Sequence, residues 1–532
     1  MLSRIQTLHP PCYGVAHERL LAAQRQREQR LKEEEEQECR RQDSRAQADQ
    51  QHNIRRQEAA EKLRKAEDES NHSELGTPAA GMAMRRSELP DAPTFALKLS
   101  PIPLALLALF ATLYYQHLTG PDPGLDLRTP ESCIATFNFT FRINAARSQA
   151  ESLATHSWEY GTAAEAITEL VNPEKAVFAA EPFPEGKVPE QELKMDQALI
   201  WVYQRIRTDN VTLFADEGWS VSDPASLGVA AVMLGQRWKW EKYIRAAERQ
   251  KDYLLNDAPR YVNGAVSHRR DVAELWSDAV SMFPPFLAYY GVHKQDLALM
   301  RAAVHQVQLY RDALVIPDGP KRGLWKHIVG PSELADDGAW STGNAWAAYG
   351  MARVRATVSG WKPSREAMGD EIAKLDRWIG EILDGAIRTD DDGESGLLRN
   401  YLGQESWFGA YKLSSSEPPF HSANVLLSVA ETSGTALLAA TAYRMAVLKP
   451  EFYAQSAYLD WAHAKRAAVV SRIDDNGFAK PAVNPLKHSS REPVDASPEG
   501  ESFLVMMGSA WRDCVCRGVC APEDQGRVDH WR

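Results

Sequence analysis

The stretch Asp223-Pro224-Ala225-Ser226-Leu227-Gly228-Val229-Ala230-Ala231-Val232-Met233-Leu234 carries a helix start and a helix body in one line. Asp223 stands where a cap is needed, and Pro224 takes the first helical position, where its missing N–H costs nothing. The same grammar recurs on both sides. Asp196-Gln197-Ala198-Leu199-Ile200-Trp201-Val202-Tyr203 begins another helix. Lys239–Leu254, Glu274–Tyr290, Asp296–Ala313, Thr342–Thr357, Arg365–Ile387, Ser422–Leu448 and Ala454–Ile473 follow. In each, apolar residues recur at three- and four-residue steps, and alternating β-branched runs are scarce. From about Asn144 to Trp511 the chain is therefore all-α, helical hairpin after hairpin. It lacks the short repeat period of a solenoid. A closed toroid of helix pairs, around twelve helices, fits that length.

The chain has 532 residues, enough for one large core or several ordinary ones. Its 61 basic and 72 acidic residues leave a net charge of -11, which argues against a surface built to neutralise nucleic-acid phosphates. Aromatic content stands out, with 15 Trp beside 17 Tyr and 15 Phe. Indoles serve either as core or as flat apolar surfaces that receive sugar rings.

Residues 1–97 have a different composition. Between Glu18 and Glu69 the chain is charged and polar, and its few apolar residues are too sparse for a heptad seam. A solvated helix or disordered tail is expected there, with Ser70–Pro93 as linker. Pro101–Tyr115 is uncharged and apolar. A spanning helix wants about 20 such residues and a secretory signal ~7–15, so 98–118 reads as a signal peptide or signal-anchor. The remainder would then be secreted or membrane-anchored, outside the cell or in a lumen, with 98–118 its only membrane contact. Asn138-Phe139-Thr140 and Asn210-Val211-Thr212 are glycosylation sequons. Of the 6 Cys, Cys133, Cys514, Cys516 and Cys520 follow the apolar run. Their spacing is not that of a zinc site, and Cys133 either pairs with the C-terminal tail or all stay free thiols. The boundaries drawn are 130–512 for the helical domain and 513–532 for a Cys-containing tail.

The loops between helices hold the residues suited to chemistry. The pattern is carboxylates beside tryptophans: Asp223 after Trp219, Asp278 after Trp276, and Asp336-Asp337 before Trp340. A carboxyl against an indole is partly desolvated, which raises its pKa and suits it to donate a proton near neutrality. Asp278 could equally cap a helix beginning at Ala279, and Asp223 the helix after it. His327 could bond a sugar hydroxyl or a backbone carbonyl. No Ser-His-Asp order, phosphate loop or metal cluster is evident.

Four ordered motifs carry a resemblance. Leu275-Trp276-Ser277-Asp278 through Pro284-Pro285-Phe286-Leu287-Ala288 is the first, and Gly323-Leu324-Trp325-Lys326-His327 the second. Trp340-Ser341-Thr342-Gly343-Asn344-Ala345-Trp346 and Glu431-Thr432-Ser433-Gly434-Thr435-Ala436 complete them. Together they resemble glycoside hydrolase family 105, the unsaturated rhamnogalacturonyl hydrolases, and Ser497–Phe503 looks like that family's closing helix. The resemblance covers about Asp196 to Trp511. It implies an (α/α)6 barrel, or six-hairpin glycosidase, that needs no metal or organic cofactor. The implied substrate is an oligosaccharide ending in a uronic acid with a C4=C5 double bond, the end a pectin lyase leaves. An aspartic acid protonates the vinyl ether, water adds at C5, and the hemiketal opens. By the motifs Asp278 matches the general acid/base and Asp223 the second active-site aspartate. His327, Trp340 and Trp346 match substrate contacts, with Trp276 beside them.

Thr342 departs from the pattern, because family members carry an Arg there, suited to grip a uronate carboxylate through a planar fork. Lys326 or another basic residue would have to replace it, or the substrate differs. Three other readings remain at this point. One is an (α/α)6 glycosidase on saturated glycosides with Asp223 and Asp278 as acid and base. Another is a carbohydrate-binding relative without turnover, and the last is a helical scaffold without a pocket.

Overall fold

The computed structural model describes residues 130–190, 196–214, 219–236, 240–390, 395–404, 430–484, 486 and 494–522, all within the unit 111–532. The tail 1–97, the apolar segment 98–118 and the helix start placed at Ser422 lie outside them. Among the described residues no helix is long and apolar enough to cross a membrane.

Twelve helices of the described residues build the frame. They are α1 (Ile143–Leu153), α2 (Ser157–Val171), α3 (Gln197–Val202), α4 (Gly228–Gly235), α5 (Glu241–Asp252) and α6 (Pro284–Lys294), then α7 (Leu297–Leu314), α8 (Ser341–Gly360), α9 (Gly369–Arg388), α10 (Thr432–Leu448), α11 (Ser456–Val470) and α12 (Pro498–Cys516). The even-numbered helices form a closed circuit: α2 meets the 3-10 turn Asp223–Leu227 that leads into α4, α4 meets α6, and so on to α12, which returns to α2. The odd-numbered helices lie outside, each against the preceding inner helix, with α1 against α12. Six hairpins thus make the (α/α)6 ring expected from the motifs.

Composition explains which helix goes where. In α8 every residue from Ser341 to Val358 is buried, and in α10 every residue from Thr432 to Ala446. Helices covered on all sides must be apolar or small all round. α5 and α9 instead carry one apolar stripe and one charged face. Glycines bring the inner helices close together near the mouth. A Cβ on Gly343 would fall 2.4 Å from Ser277 Oγ, and one on Gly434 2.5 Å from Ser341 Oγ.

The two ends of the ring differ. The starts of the inner helices gather at one mouth, where β1 (Leu275–Trp276) pairs antiparallel with β2 (Ile328–Val329), and β3 (Leu398–Arg399) with β4 (Ala430–Glu431). Towards the other end the inner helices are locked by buried ions. Glu169 accepts from Arg444 at 2.7 Å and from Tyr349 Oη at 2.6 Å; Arg444 also pairs with Asp513, and Arg512 donates to the Glu169 carbonyl at 2.7 Å. Removing one partner from such a network strands a buried charge, which costs about 3–5 kcal/mol.

Three local expectations are corrected. Glu274–Tyr290 is not one helix, because β1 and a short helix Ala279–Met282 precede α6. Pro284 and Pro285 lack the donors that would continue the earlier turn, so the helix restarts at Pro284. Arg365–Ile387 is likewise broken at Met368, between Lys362–Ala367 and α9. Finally, Asp223 does not cap: Ser222 holds the cap position, and Asp223 is the first residue of its turn. The disulfides are Cys133–Cys516, with Cα atoms 5.4 Å apart, and Cys514–Cys520. Cys133 is thus tied to the C-terminal end, and α12 runs through residues 513–516 of the tail.

Candidate active site

At the mouth lies a cleft whose empty space, open solvent included, is about 740 Å³, lined by Trp158, Trp219, Asp223, His268, Trp276, Asp278, Met282, His327, Trp340, Trp346, Val483, Asn484, Leu486 and Glu499. The starts of the inner helices supply most of it, so short loop segments far apart in sequence converge there.

Asp278 immediately precedes the short helix Ala279–Met282, yet its carboxyl makes no capping bond. The side chain is 14% exposed, and its Oδ2 lies 3.8 Å from His327 Nε2. Ser277 Oγ donates to it at 3.3 Å. Burial holds its pKa above the usual aspartate range, against the opposing pull of His327. Asp223 is 4% exposed; its backbone N–H donates to Ser220 Oγ at 3.1 Å, and Ser222 Oγ donates to its carboxylate at 3.4 Å. His327 bonds Asp336 Oδ2 through Nδ1 at 3.0 Å. The β1–β2 register and the Ser277 N–H bond to the His327 carbonyl, 2.9 Å, place it beside Asp278.

The tryptophans form the walls. Trp276 donates its indole N–H to Glu274 at 2.9 Å and Trp340 donates to Asn400 at 2.7 Å. With the polar edges satisfied by the protein, apolar ring surface is left for the cleft. Trp346 stands edge-on to Phe503, ring centres 4.6 Å apart.

Six of the seven residues expected from sequence meet in the cleft: Asp223, Asp278, Trp276, His327, Trp340 and Trp346. Thr342 does not line it. It is buried in the first turn of α8, where its hydroxyl lies 3.5 Å from Glu431 Oε1. Glu431 caps α10 by accepting from Ser433 and Gly434 N–H at 2.6 and 2.8 Å, so Thr342 belongs to a helix junction. Lys326 is also elsewhere, paired with Asp337 at 2.6 Å. Among the described lining residues there is no Lys or Arg, and no described cluster could hold a metal ion.

Eight lining residues had no site role assigned from the sequence: Met282, Val483, Asn484 and Leu486, and the aromatic or titratable Trp158, Trp219, His268 and Glu499. His268 stacks on Trp276, ring centres 4.6 Å apart, and bonds Ser222 Oγ at 2.7 Å. Burial, with His327 and Arg269 nearby, pushes its pKa down to about 3, so it is neutral. A lone His between Ser267 and Arg269 gives no local signal; only the long-range pairing of Ser220 with Arg269 brings it in. Glu499 accepts from Trp158 Nε1 at 3.2 Å, and burial pushes its carboxyl well above the usual range. Its signal was present, since Ser497-Pro498-Glu499 is a helix start that had to point at the same mouth.

Residues 196–379 match the model of Glycosyl Hydrolase Family 88. A glycoside hydrolase from family 105 of C. acetobutylicum shares the fold at 12% identity and a TM-score of 0.52, covering 70% of this chain and 99% of that one. A protein from Klebsiella pneumoniae subsp. pneumoniae, described as a possible member of family 105, does so at 15% identity and a TM-score of 0.51, covering 79% and 99%. No curated protein sequence matches the chain. The family 88 match runs through the stretch that supplies both cleft aspartates, and the ring is the one seen in family 105 structures, so the chain is similar to glycosidases of the family 88/105 group.

Proposed function

We propose that the protein hydrolyses oligosaccharides ending in an unsaturated uronic acid, of the pectin or rhamnogalacturonan type, with Asp278 as the acid. The observation that carries this is the setting of Asp278: partly desolvated beside Trp276 and facing His327, with its carboxyl not used as a helix cap. In this reaction Asp278 gives its proton to C4 of the vinyl ether. The carboxylate it becomes takes a proton from the water that adds at C5, and the hemiketal opens to release the next sugar. The proton count closes on Asp278. Asp223 helps orient that water, and the tryptophan faces hold the ring. Lyase-treated pectin fragments should lose the ultraviolet absorbance of their double bond. Asp278→Asn should lower that rate by at least ~10²–10⁴-fold in a folded protein. Unchanged absorbance with folded wild type overturns the reading.

One observation favours a second reading. With Thr342 turned into a helix junction and no basic side chain among the described lining residues, the uronate carboxylate lacks an evident partner. A saturated, uncharged glycoside hydrolysed by Asp223 and Asp278 as base and acid would not need one. Reducing ends released from saturated oligosaccharides, with unsaturated ones untouched, select it.

We also propose that the domain works outside the cell or in a secretory lumen. The two disulfides support this, since such bonds persist in oxidising compartments, and so does the exposure of Asn138 in its sequon. Folded protein from the medium of a eukaryotic host should carry both disulfides and a glycan on Asn138. Retention in the cytosol with reduced thiols overturns it.

A further inference from the structure

Asp336 is outside the cleft lining, yet it is tied to the cleft chemistry. It is 1% exposed and accepts three hydrogen bonds: from Tyr401 Oη at 2.6 Å, from the Gly338 N–H at 2.9 Å and from His327 Nδ1 at 3.0 Å. A carboxylate only accepts, so the third bond fixes a proton on Nδ1 and leaves Nε2 facing Asp278 Oδ2 at 3.8 Å. The imidazole cannot turn away. Its backbone N–H donates to the Gly338 carbonyl at 2.9 Å, and Trp340 and Trp276 flank the ring at 4.6 and 5.7 Å between centres.

We propose that Asp336, steadied by Tyr401, is a positioning residue that makes His327 and Asp278, at ion-pair distance, carry one proton in common, on either Nε2 or Oδ2. This rests on the reading of Asp278 as the acid. With the proton on Nε2, an imidazolium sits between two carboxylates. With the proton on Oδ2, a carboxylic acid faces a neutral ring. Both forms carry the same net charge, so the proton can move to Asp278 without any other proton entering or leaving the site. The Asp336 charge strengthens the hold on that proton whichever atom carries it.

The other titratable groups facing the pair are Asp223, His268, Tyr310 and Glu499. None of them bonds Asp336, so a change there acts through His327. Tyr401 stays a donor, because burial and Asp336 keep its hydroxyl well above its ordinary range.

The test compares pH–rate profiles of wild type, Asp336→Asn and Tyr401→Phe on lyase-treated pectin fragments. It is paired with an NMR titration of the His327 ring in the substrate-free protein. Asp336→Asn should move the alkaline limb, and the matching NMR step, down by about one pH unit, with KM changed less than ~2-fold. Tyr401→Phe removes a donor, leaves more negative charge on Asp336 and should move both slightly upward. A loss of kcat that is equal at every pH, with the NMR step unmoved, overturns the proposal and leaves Asp336 a packing residue. The NMR arm needs no turnover, so an inactive substrate counts against the proposed function and not against this one. Activity surviving in Asp278→Asn would remove the acid assignment on which the proposal rests.

Discussion

Glu499 shows how one residue acquires its chemistry from position. It is the second residue of α12, 4% exposed. Near it lie Glu159, Asp278 and Glu431, whose charges add to burial in pushing its carboxyl up. Because the folded value lies above the unfolded one, the stabilisation from protonated Glu499 is complete below the ordinary carboxyl range and fades as pH rises through the folded value. Glu499→Gln keeps the shape and removes the titration. Its Tm relative to wild type should therefore rise as pH climbs above the ordinary carboxyl range, as differential scanning calorimetry can check; a pH-independent difference there would show Glu499 ionised in the folded protein. On the same scale, some residues of the cleft can be placed there from sequence and others cannot. Asp278 and His327 were legible because each stands in a dense local motif with an aromatic neighbour. His268 was not, since its stacking on Trp276 is a tertiary fact with no local trace. Thr342 was legible as a departure from the motif, but not as a group turned towards Glu431.

At the level of elements, helix existence was plain and helix ends were not. α7 begins as expected because Asp296 accepts from the Ala298 and Leu299 N–H groups, 2.8 and 3.3 Å away, a cap that any reader of Asp followed by an apolar run would place. α3 starts the same way at Asp196. The failures share one cause. Apolar periodicity runs straight through Leu275-Trp276 and through Met368, because both stretches are buried. Burial alone does not distinguish a two-residue strand or a helix break from a continuing helix. The β1–β2 pair was invisible for a related reason: its partner lies beyond the whole of α7, and two-residue strands leave no alternating pattern. Those pairs matter more than their length suggests, for β1–β2 sets the His327 ring against Asp278.

On the scale of the whole molecule, ring closure decides stability. Twelve helices of fitting length implied a toroid, but which helices face inward became readable only through their complete burial and the close glycine contacts. The circuit closes where α12 meets α1 and α2, and Cys133–Cys516 staples that junction across a sequence separation of 383. A cross-link spanning so much chain restricts the unfolded state more than the six-residue separation of Cys514–Cys520 does. Cys133→Ser should therefore cost about 2–5 kcal/mol, seen as a lower denaturant midpoint, and cost more than Cys520→Ser. Equal losses would mean the long cross-link acts only locally.

The staple also makes the position of the seam arbitrary. With the segment just ahead of α1 covalently joined to the end of α12, a circular permutant that joins those ends through a short linker and opens an exposed outer connection would keep every inner neighbour. Such a chain could begin at α7 and still present the same mouth, which makes this scaffold a candidate for moving its fusion points away from the sugar-facing rim.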